Sequence, residues 1–261
     1  MTANIRTFTE DDRAELLDLF GHVGAGAPST SLWGHAESEA AIYLKPYMDL
    51  EPESLFVAVV DGTIVGYLTG CLDSSAFPAE SQRIDQAITQ YHLLRRPATV
   101  RFFLRAMLDV VGARVRRRPT AGELDDPRWP AHLHVNVMPQ VRGHGVAAAL
   151  MSRWFDRLTD AGSPGCHLQT LVENPRAVRF FERCGFTKHG PTPLVPGLRH
   201  SERPVHQQTM VWTATRGRVS EDEMANEEHN EGTDDDYRRE EDQNRRCRST
   251  APVRSRPPPR R

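Results

Sequence analysis

The sequence has 261 residues, a length that suits one large domain or one domain with an extension. Hydrophobic residues make up 38% and the formal net charge is -2, so the bulk charge does not call for a nucleic-acid partner. The four cysteines lack the spacing of a metal or disulfide framework, which fits a reducing compartment, and no metal is expected. Without a basic or apolar leader, or any apolar run near the roughly 20 residues that span a bilayer, we expect a cytoplasmic protein with no membrane partner.

The first 71 residues predict alternating strands and helices. Thr9 is a polar residue followed by three acidic residues, which is typical of a helix start. Asp61-Gly62 is a dipeptide typical of a tight β-hairpin. The predicted strands cover residues 4–8, 55–60 and 63–71, and the predicted helices cover residues 10–20 and 37–49.

Residues 72–130 form a long connection, in which we expect one helix over Thr99–Val115. A connection of this length is usually functional or an insertion with helices of its own. Its basic run Arg114–Arg118 is interpreted as a solvated helix end.

The next segment predicts two helices between strands. Apolar residues at intervals of four indicate a helix over 146–161. Asn174 and Pro175 open a second helix, because Asn caps free N–H groups and Pro suits the first helical position, and Gly185 is placed to end it. Strands are predicted over residues 132–137, 166–172, 186–189 and 206–212.

The composition changes after this segment. The sequence predicts a folded domain over 1–213, with a helical insertion at 72–130, and a disordered tail over 214–261. The tail is acidic over 220–242 and rich in arginine over 243–261. Such a stretch buries too little apolar area to offset the entropy of ordering it. Its only sizeable apolar side chains are those of Val219, Met224, Tyr237 and Val253.

The most informative segment is the glycine-rich turn Arg142-Gly143-His144-Gly145, between a predicted strand and a predicted helix. Glycines at a helix start let the backbone approach a ligand, and the free N–H groups with the helix dipole attract anions. The turn lacks the GK[ST] of nucleotide-hydrolysing loops and the G-x-G-x-x-G spacing of dinucleotide folds. Taken alone, it is compatible with either a tight turn or an anion site.

A second segment, about 30 residues further on, favours the anion site. The run Asn174–Phe186 reads N-x-x-A-x-x-x-F-E-x-x-G-F, which resembles one motif of the GNAT superfamily of N-acetyltransferases. Arg142, Gly145 and Ala147 resemble the acyl-CoA motif [RQ]-x-x-G-x-[GA] of the same superfamily. The resemblance covers about Asn4 to Trp212, and the insertion is its least covered part.

More narrowly, residues 129–136 and 165–168 resemble one branch of that superfamily. It comprises bacterial and fungal acetyltransferases that are similar to the acetyltransferase-like domain of some O-GlcNAc hydrolases, a domain that is not always an active enzyme. The implied fold is α/β (α+β), with a central mixed twisted sheet, a splayed strand pair and helices on both faces.

The resemblance implies that acetyl-CoA is the co-substrate and enters the gap between the strand ending at Val137 and the strand starting at Cys166. Its pyrophosphate would rest on the N–H groups of the glycine-rich turn. A main-chain N–H near Val137 or Met138 would stabilise the oxyanion. The implied acetyl-CoA contacts are Val137, Met138, Arg142, Gly143, His144, Gly145, Val146, Ala147, Asn174 and Phe181.

The positions of the acid and the base depart from the superfamily pattern. Many members carry a Glu and a Tyr where this chain has Gln169 and Phe181, and neither of these side chains transfers a proton. A thiolate leaves without strict acid help because a free thiol has a pKa of about 8.5, but an ammonium with a pKa of about 10.4 needs a base. His134 and Asn136 share one strand face and are the candidate catalytic residues. Further candidates for the base are His132 and Glu173.

The predicted function is an N-acetyltransferase that moves an acetyl group from acetyl-CoA to an amine of a small molecule or a protein by direct attack. The two departures keep open a catalytically weak or inactive acyl-CoA-binding or sensor module. A third hypothesis has the basic tail bind nucleic acid weakly, with the domain as a scaffold. A homodimer is also left open.

Overall fold

The structure is a computed structural model that describes residues 3–23 and 33–214. The tail predicted over 214–261 lies outside the described residues, apart from Ala214. Within the described residues, no helix is both long and apolar enough to cross a membrane, and no group of three potential metal ligands comes together.

The described residues form eight strands and seven α-helices joined by short 3-10 turns. The strands are β1 (Asn4–Thr7), β2 (Leu55–Val60), β3 (Thr63–Cys71), β4 (Ala131–Val137), β5 (Gly165–Leu171), β6 (Thr187–His189), β7 (Leu194–His200) and β8 (Arg203–Thr213). The helices are α1 (Arg13–Val23), α2 (Ala36–Tyr43), α3 (Lys45–Leu50), α4 (Glu80–Gln90), α5 (Pro97–Val115), α6 (Val146–Asp160) and α7 (Pro175–Arg183).

The strands form one mixed sheet in the order β1-β2-β3-β4-β5-β8-β6, with β7 paired to β8 off this path. Neighbours are antiparallel except β4 and β5, which are parallel. This parallel pair is in register only at Ala131 with Cys166 and at His132 with His167, although each strand has seven residues. Beyond those two pairs the strands part, so the predicted splayed pair in a mixed sheet is confirmed.

Helices cover both faces of the sheet, as predicted. On one face, Trp154 and Phe155 of α6 pack with Leu133 of β4 and with α7 in the larger core cluster. On the other face, Leu16 of α1 and Tyr47 of α3 pack against β2 and β3. The alternation of each strand explains this division, because successive side chains point to opposite faces.

The helix predicted over 37–49 is in fact two helices, α2 and α3, which break at Leu44. Pro46 is the reason, because proline has no N–H to donate to the carbonyl oxygen of Ile42 four residues earlier. The guanidinium of Arg83 in α4 donates to that oxygen instead and also to the carbonyl oxygen of Pro78. A side chain from the insertion thus donates to the carbonyl oxygen that the break leaves without its helical partner.

The insertion holds two helices rather than the single one predicted. The helix predicted over 99–115 is confirmed as α5, which begins two residues earlier. Helix α4 was missed because its sequence is mostly polar, and its few apolar side chains pack in a small cluster with Trp33 and Leu93.

Strand β7 was also missed, since proline and glycine lower a strand prediction. Gly197 of β7 has a φ of 80° and lies against α5, where a Cβ would come within 2.9 Å of Ala106. Helix α5 therefore packs on a strand that only glycine allows to come so close.

Candidate active site

The open edge of β4 faces the cleft where β4 and β5 part. The N–H of Met138, just after β4, donates to the carbonyl oxygen of Val65 at 2.8 Å on the β3 side. Because successive N–H groups of a strand point to opposite edges, the N–H of Val137 points toward the cleft. Val137 therefore offers a main-chain donor there, whereas the donor of Met138 is already used.

The glycine-rich turn lies at the end of this cleft and leads directly into α6. Gly143 and Gly145 have φ values of 78° and 76°, in the left-handed region that favours glycine. Across residues 3–23 and 33–214, no backbone carbonyl accepts a hydrogen bond from the N–H of Val146 or Ala147. These first N–H groups of a 15-residue helix are therefore open to an anion.

Two guanidinium groups add positive charge beside the turn. Burial and the nearby charge of Arg176 both lower the pKa of Arg142. Arg176 lies in the first turn of α7, so the starts of the two helices after β4 and β5 each carry one arginine. An anion bound between them would relieve the repulsion. The sequence motif includes Arg142 but does not specify Arg176, which the fold brings near Arg142.

Asn174 lies at the start of α7, and Phe181 lies near its end. The side-chain oxygen of Asn174 accepts a hydrogen bond from the N–H of Ala177 at 3.2 Å, so Asn174 caps the helix as predicted. Phe181 is buried, with its ring 5.2 Å from that of Phe180 and 5.9 Å from that of Phe186. These contacts make Phe181 a member of the core cluster.

On the opposite face of β4, His132 belongs to a continuous hydrogen-bonded chain. Tyr47 Oη lies 2.8 Å from Nε2 of His132, and Ser74 Oγ lies 2.7 Å from its Nδ1. Ser74 Oγ also donates to the carbonyl oxygen of Pro130 at 2.6 Å. Since Ser74 has one proton, the ring must donate from Nδ1 to Ser74 and accept at Nε2 from Tyr47. Both nitrogens of His132 are therefore engaged.

His134 differs from His132 because its ring nitrogens have no hydrogen-bond partner in the described ranges 3–23 and 33–214. Its ring lies 5.8 Å from that of Tyr47 and 6.0 Å from that of His132. Thr69, which pairs with His134 across β3 and β4, has a buried hydroxyl without a partner there as well. Asn136, one step along the same face, donates from Nδ2 to Tyr67 Oη at 3.1 Å.

Burial disfavours the charged form of the histidines on this face. Burial, followed by the charges of Arg83 and His167, lowers the pKa of His134 to about 4. Burial is also the main reason that the pKa of His132 lies well below its usual value and that the pKa of His167 is lowered. A neutral imidazole with a free nitrogen can accept a proton, so the ring of His134 has the chemistry that a base requires.

Comparison with known proteins places the chain in a family. The sequence profile of the acetyltransferase (GNAT) family matches residues 26–186, which is more than half of the chain. This chain belongs to the GNAT acetyltransferase family. It is also 34% identical over 61 residues to the spermidine N(1)-acetyltransferase of Vibrio cholerae serotype O1. That alignment covers 23% of this chain and 35% of the relative, about a third of the relative's length.

Solved structures share the GNAT fold. SsHAT superposes with a TM-score of 0.51 at 20% identity, over 82% of this chain and 99% of its own. The protein yncA of Salmonella typhimurium, solved with its cofactor acetyl-CoA, superposes with a TM-score of 0.51 at 15% identity, over 84% of this chain and 98% of its own. At this level of identity, the comparison supports the fold.

Two polar residues that the GNAT resemblance brought forward have structural partners. Gln169, at the position of the expected Glu, donates from Nε2 to the carbonyl oxygen of Gly122 at 2.6 Å and so ties the insertion to β5. The carboxylate of Glu173 accepts from the N–H of His206 at 2.9 Å and lies 3.0 Å from its ring. Burial raises the pKa of Glu173, but these hydrogen bonds lower it more. Glu173 is therefore a weak base.

The structure brings together the predicted turn and the predicted strand face, on the two sides of one parted pair of strands. It adds residues that sequence motifs do not mark, because they come from distant helices and loops. The added residues are Tyr47, Tyr67, Ser74, Arg83 and Arg176.

Proposed function

We propose that this GNAT-family chain transfers an acetyl group from acetyl-CoA to an amine by direct attack at the cleft between β4 and β5. One observation carries the proposal: the parted strands lie between open helix-start amides and a neutral histidine on the acceptor side. Acetyl-CoA supplies the activated acyl group. The contribution of the chain is to bind it, to place the amine beside it and to remove a proton.

Binding of acetyl-CoA is assigned to the turn and the cleft edge. The N–H groups of Gly143, His144, Gly145, Val146 and Ala147 bind the pyrophosphate, since helix-start amides and the helix dipole favour negative charge. Arg142 adds charge to the same anion. The N–H of Val137 donates to the carbonyl oxygen of the acetyl group as negative charge develops on it. The side chains of Met138, Asn174 and Phe181 flank this path and shape it.

His134 is proposed as the base and Asn136 as its polar neighbour in the acceptor pocket. A base with a pKa of about 4 cannot deprotonate a free ammonium to a useful extent. It can take the proton while the bond forms, because the attacking nitrogen then becomes acidic. The amine therefore binds as the neutral species, and the polar face of β4 orients it.

The binding site is tested by replacing Gly145 with valine. The φ of 76° at Gly145 is strained for a β-branched residue, and a side chain there would occupy the anion cradle. We expect Gly145→Val to weaken acetyl-CoA binding at least about tenfold in calorimetry, the loss of roughly one charge-assisted hydrogen bond. Gly62→Val is the matched control, since Gly62 has a φ of 80° in an exposed hairpin. Unchanged affinity in Gly145→Val would refute this site.

A non-catalytic acyl-CoA-binding module is the second candidate, favoured by the absence of the usual Glu and Tyr at Gln169 and Phe181. A thiol-release assay with acetyl-CoA separates the two functions. The acceptor panel holds polyamines, because a relative acts on spermidine, as well as amino sugars and peptides with a free N-terminus. Turnover with any amine supports the transferase; tight binding without turnover on the whole panel supports the module.

A further inference from the structure

The outer face of α5 and the turn before it carry an unusual set of exposed apolar side chains. Of the nine exposed large hydrophobic residues among those described, seven lie between Leu94 and Val115. Leu108 is 67% exposed and Val115 is 78% exposed. Six of these seven, all but Val110, define the α5 surface: Leu94, Leu104, Met107, Leu108, Val111 and Val115.

Helical spacing gathers these side chains into one stripe. Positions 104, 107, 108, 111 and 115 are three or four residues apart and so share one side of the helix. The other side of α5 is already packed, with Phe102 and Ala106 against Gly197 of β7. The stripe is therefore a second apolar face, beyond what the fold of the domain requires.

Three arginines line a groove beside the stripe. Arg95, Arg101 and Arg105 do so together with Leu94, Leu104 and Leu108, and the volume of the groove is about 750 Å³. Asp109, the acid of α5, is bound by two guanidinium nitrogens of Arg199 at 2.7 and 2.8 Å. It also interacts electrostatically with Arg105, so one acid faces four arginines and the local charge stays positive. Apolar side chains and positively charged side chains therefore line the same groove.

We propose that the α5 surface binds the surface of an anionic lipid bilayer. A bilayer offers hydrocarbon to the stripe and phosphate oxygens to the arginines, whose long stems reach from the apolar zone to the headgroups. The sequence predicts no membrane partner because it contains no apolar run long enough to span a bilayer. Peripheral binding needs no spanning segment, and the inference is independent of the reaction at the cleft.

Other candidate partners of the α5 surface would match either its apolar stripe or its arginines, but not both. Nucleic acid would pair with the arginines and leave the stripe in water. A second copy of the chain would bury the stripe, but a two-fold contact through α5 would set arginine against arginine. The acidic stretch 220–242 of the chain would pair with the arginines, yet its sizeable apolar side chains are only Met224 and Tyr237.

The test is co-sedimentation of the 261-residue chain with vesicles of phosphatidylcholine alone and of an equal mixture with phosphatidylglycerol. We expect binding to the mixed vesicles only. Leu104→Gln with Leu108→Gln should weaken it about tenfold or more, and Arg101→Gln with Arg105→Gln should do the same. The matched controls are Leu50→Gln, at a residue 57% exposed on α3, and Arg128→Gln with Arg153→Gln, which remove two charges elsewhere.

The outcomes separate the occupants. Loss of binding in both double variants, with unchanged controls, supports the proposal. Binding that the arginine pair controls and the leucine pair does not would reduce it to nonspecific charge attraction and overturn it. A dimer in sedimentation that Leu104→Gln with Leu108→Gln dissolves, without vesicle binding, would assign the surface to a second copy. Vesicle binding that emerges only after deletion of 220–242 would assign it to that stretch.

Discussion

At the scale of single residues, two histidines two positions apart on β4 differ in what surrounds them. His132 is locked between Tyr47 and Ser74 by hydrogen bonds whose direction is fixed. His134 has its neutral ring beside Tyr47 and opposite Thr69. Period-2 alternation predicts that both face the same side, but it cannot say which one is engaged, because the partners come from α3 and the loop after β3.

Replacing His134 tests its assigned role. We expect His134→Gln to lower kcat about 100-fold, the usual contribution of a general base, and to leave the KM for acetyl-CoA near its original value, because the turn, and not His134, is proposed to bind the pyrophosphate. Steady-state kinetics with an amine found in the panel measure both. His22→Gln, at an exposed residue of α1, is the control. An unchanged kcat in His134→Gln would remove His134 from the mechanism.

The pH dependence of the reaction follows from the lowered pKa of His134. Since that pKa is about 4, His134 stays unprotonated above about pH 5 and adds no inflection between pH 6 and 8. In that range kcat/KM should rise with pH as the acceptor amine loses its proton. A profile measured from pH 5 to 9 checks this. An inflection near pH 6.5 that disappears in His134→Gln would contradict the lowered pKa of the ring.

At the scale of elements, the strands and helices that follow a clear period are those the sequence predicts. Helix α6 and the capped start of α7 at Asn174 match their predictions closely, because hydrophobic periodicity and capping are local signals. The break at Leu44 and strand β7 depend on contacts between residues that are far apart in the sequence. Each depends on a side chain or a close approach from the insertion, which the sequence order does not reveal.

Arg83 is the residue on which the helix break depends. Its side chain is 6% exposed, and its guanidinium binds the carbonyl oxygens of Ile42 and Pro78. Arg83→Gln would leave buried acceptors unpaired, so we expect a loss of about 2–4 kcal/mol in the free energy of unfolding. Urea denaturation measures this loss. Arg128→Gln, at a side chain 67% exposed, should change the stability by less than about 0.5 kcal/mol. Equal stabilities in the two variants would show that Arg83 does not hold the break.

At the scale of the whole molecule, the sequence carries motifs for the proposed anion-binding half of the site and none for the proposed acceptor half. The turn and α7 carry motifs because helix-start amides need glycine and a cap at fixed spacing. The face proposed to bind the acceptor is assembled from β3, β4, α3 and the insertion, whose residues lie up to 85 positions apart in the chain, as in the Tyr47–His132 hydrogen bond. No local pattern encodes such a contact, so the structure is needed to find it.

The largely desolvated histidines of that face also make the stability of the whole domain depend on pH. Burial lowers the pKa of His132, His134 and His167 below the unfolded value of about 6.5. The unfolded chain therefore binds more protons between about pH 6.5 and pH 4, so the stability is complete above that window and is lost as the pH falls through it. His134 alone should account for about 1–2 kcal/mol at pH 5.

Urea midpoints at pH 7.5, 6 and 5 measure this loss. The midpoint should fall at each step, and the fall should be smaller in His134→Gln, since glutamine does not titrate, while the exposed-site variant His22→Gln keeps the original dependence. Carboxylates with a lowered pKa, such as Asp12 at about 2, lose their stabilisation as the pH falls from the unfolded pKa of about 3.9 toward the folded value, which lies below this range. A midpoint that is constant from pH 7.5 to 5 would mean that these rings are protonated in the folded domain. That result would contradict the neutral base proposed for the cleft.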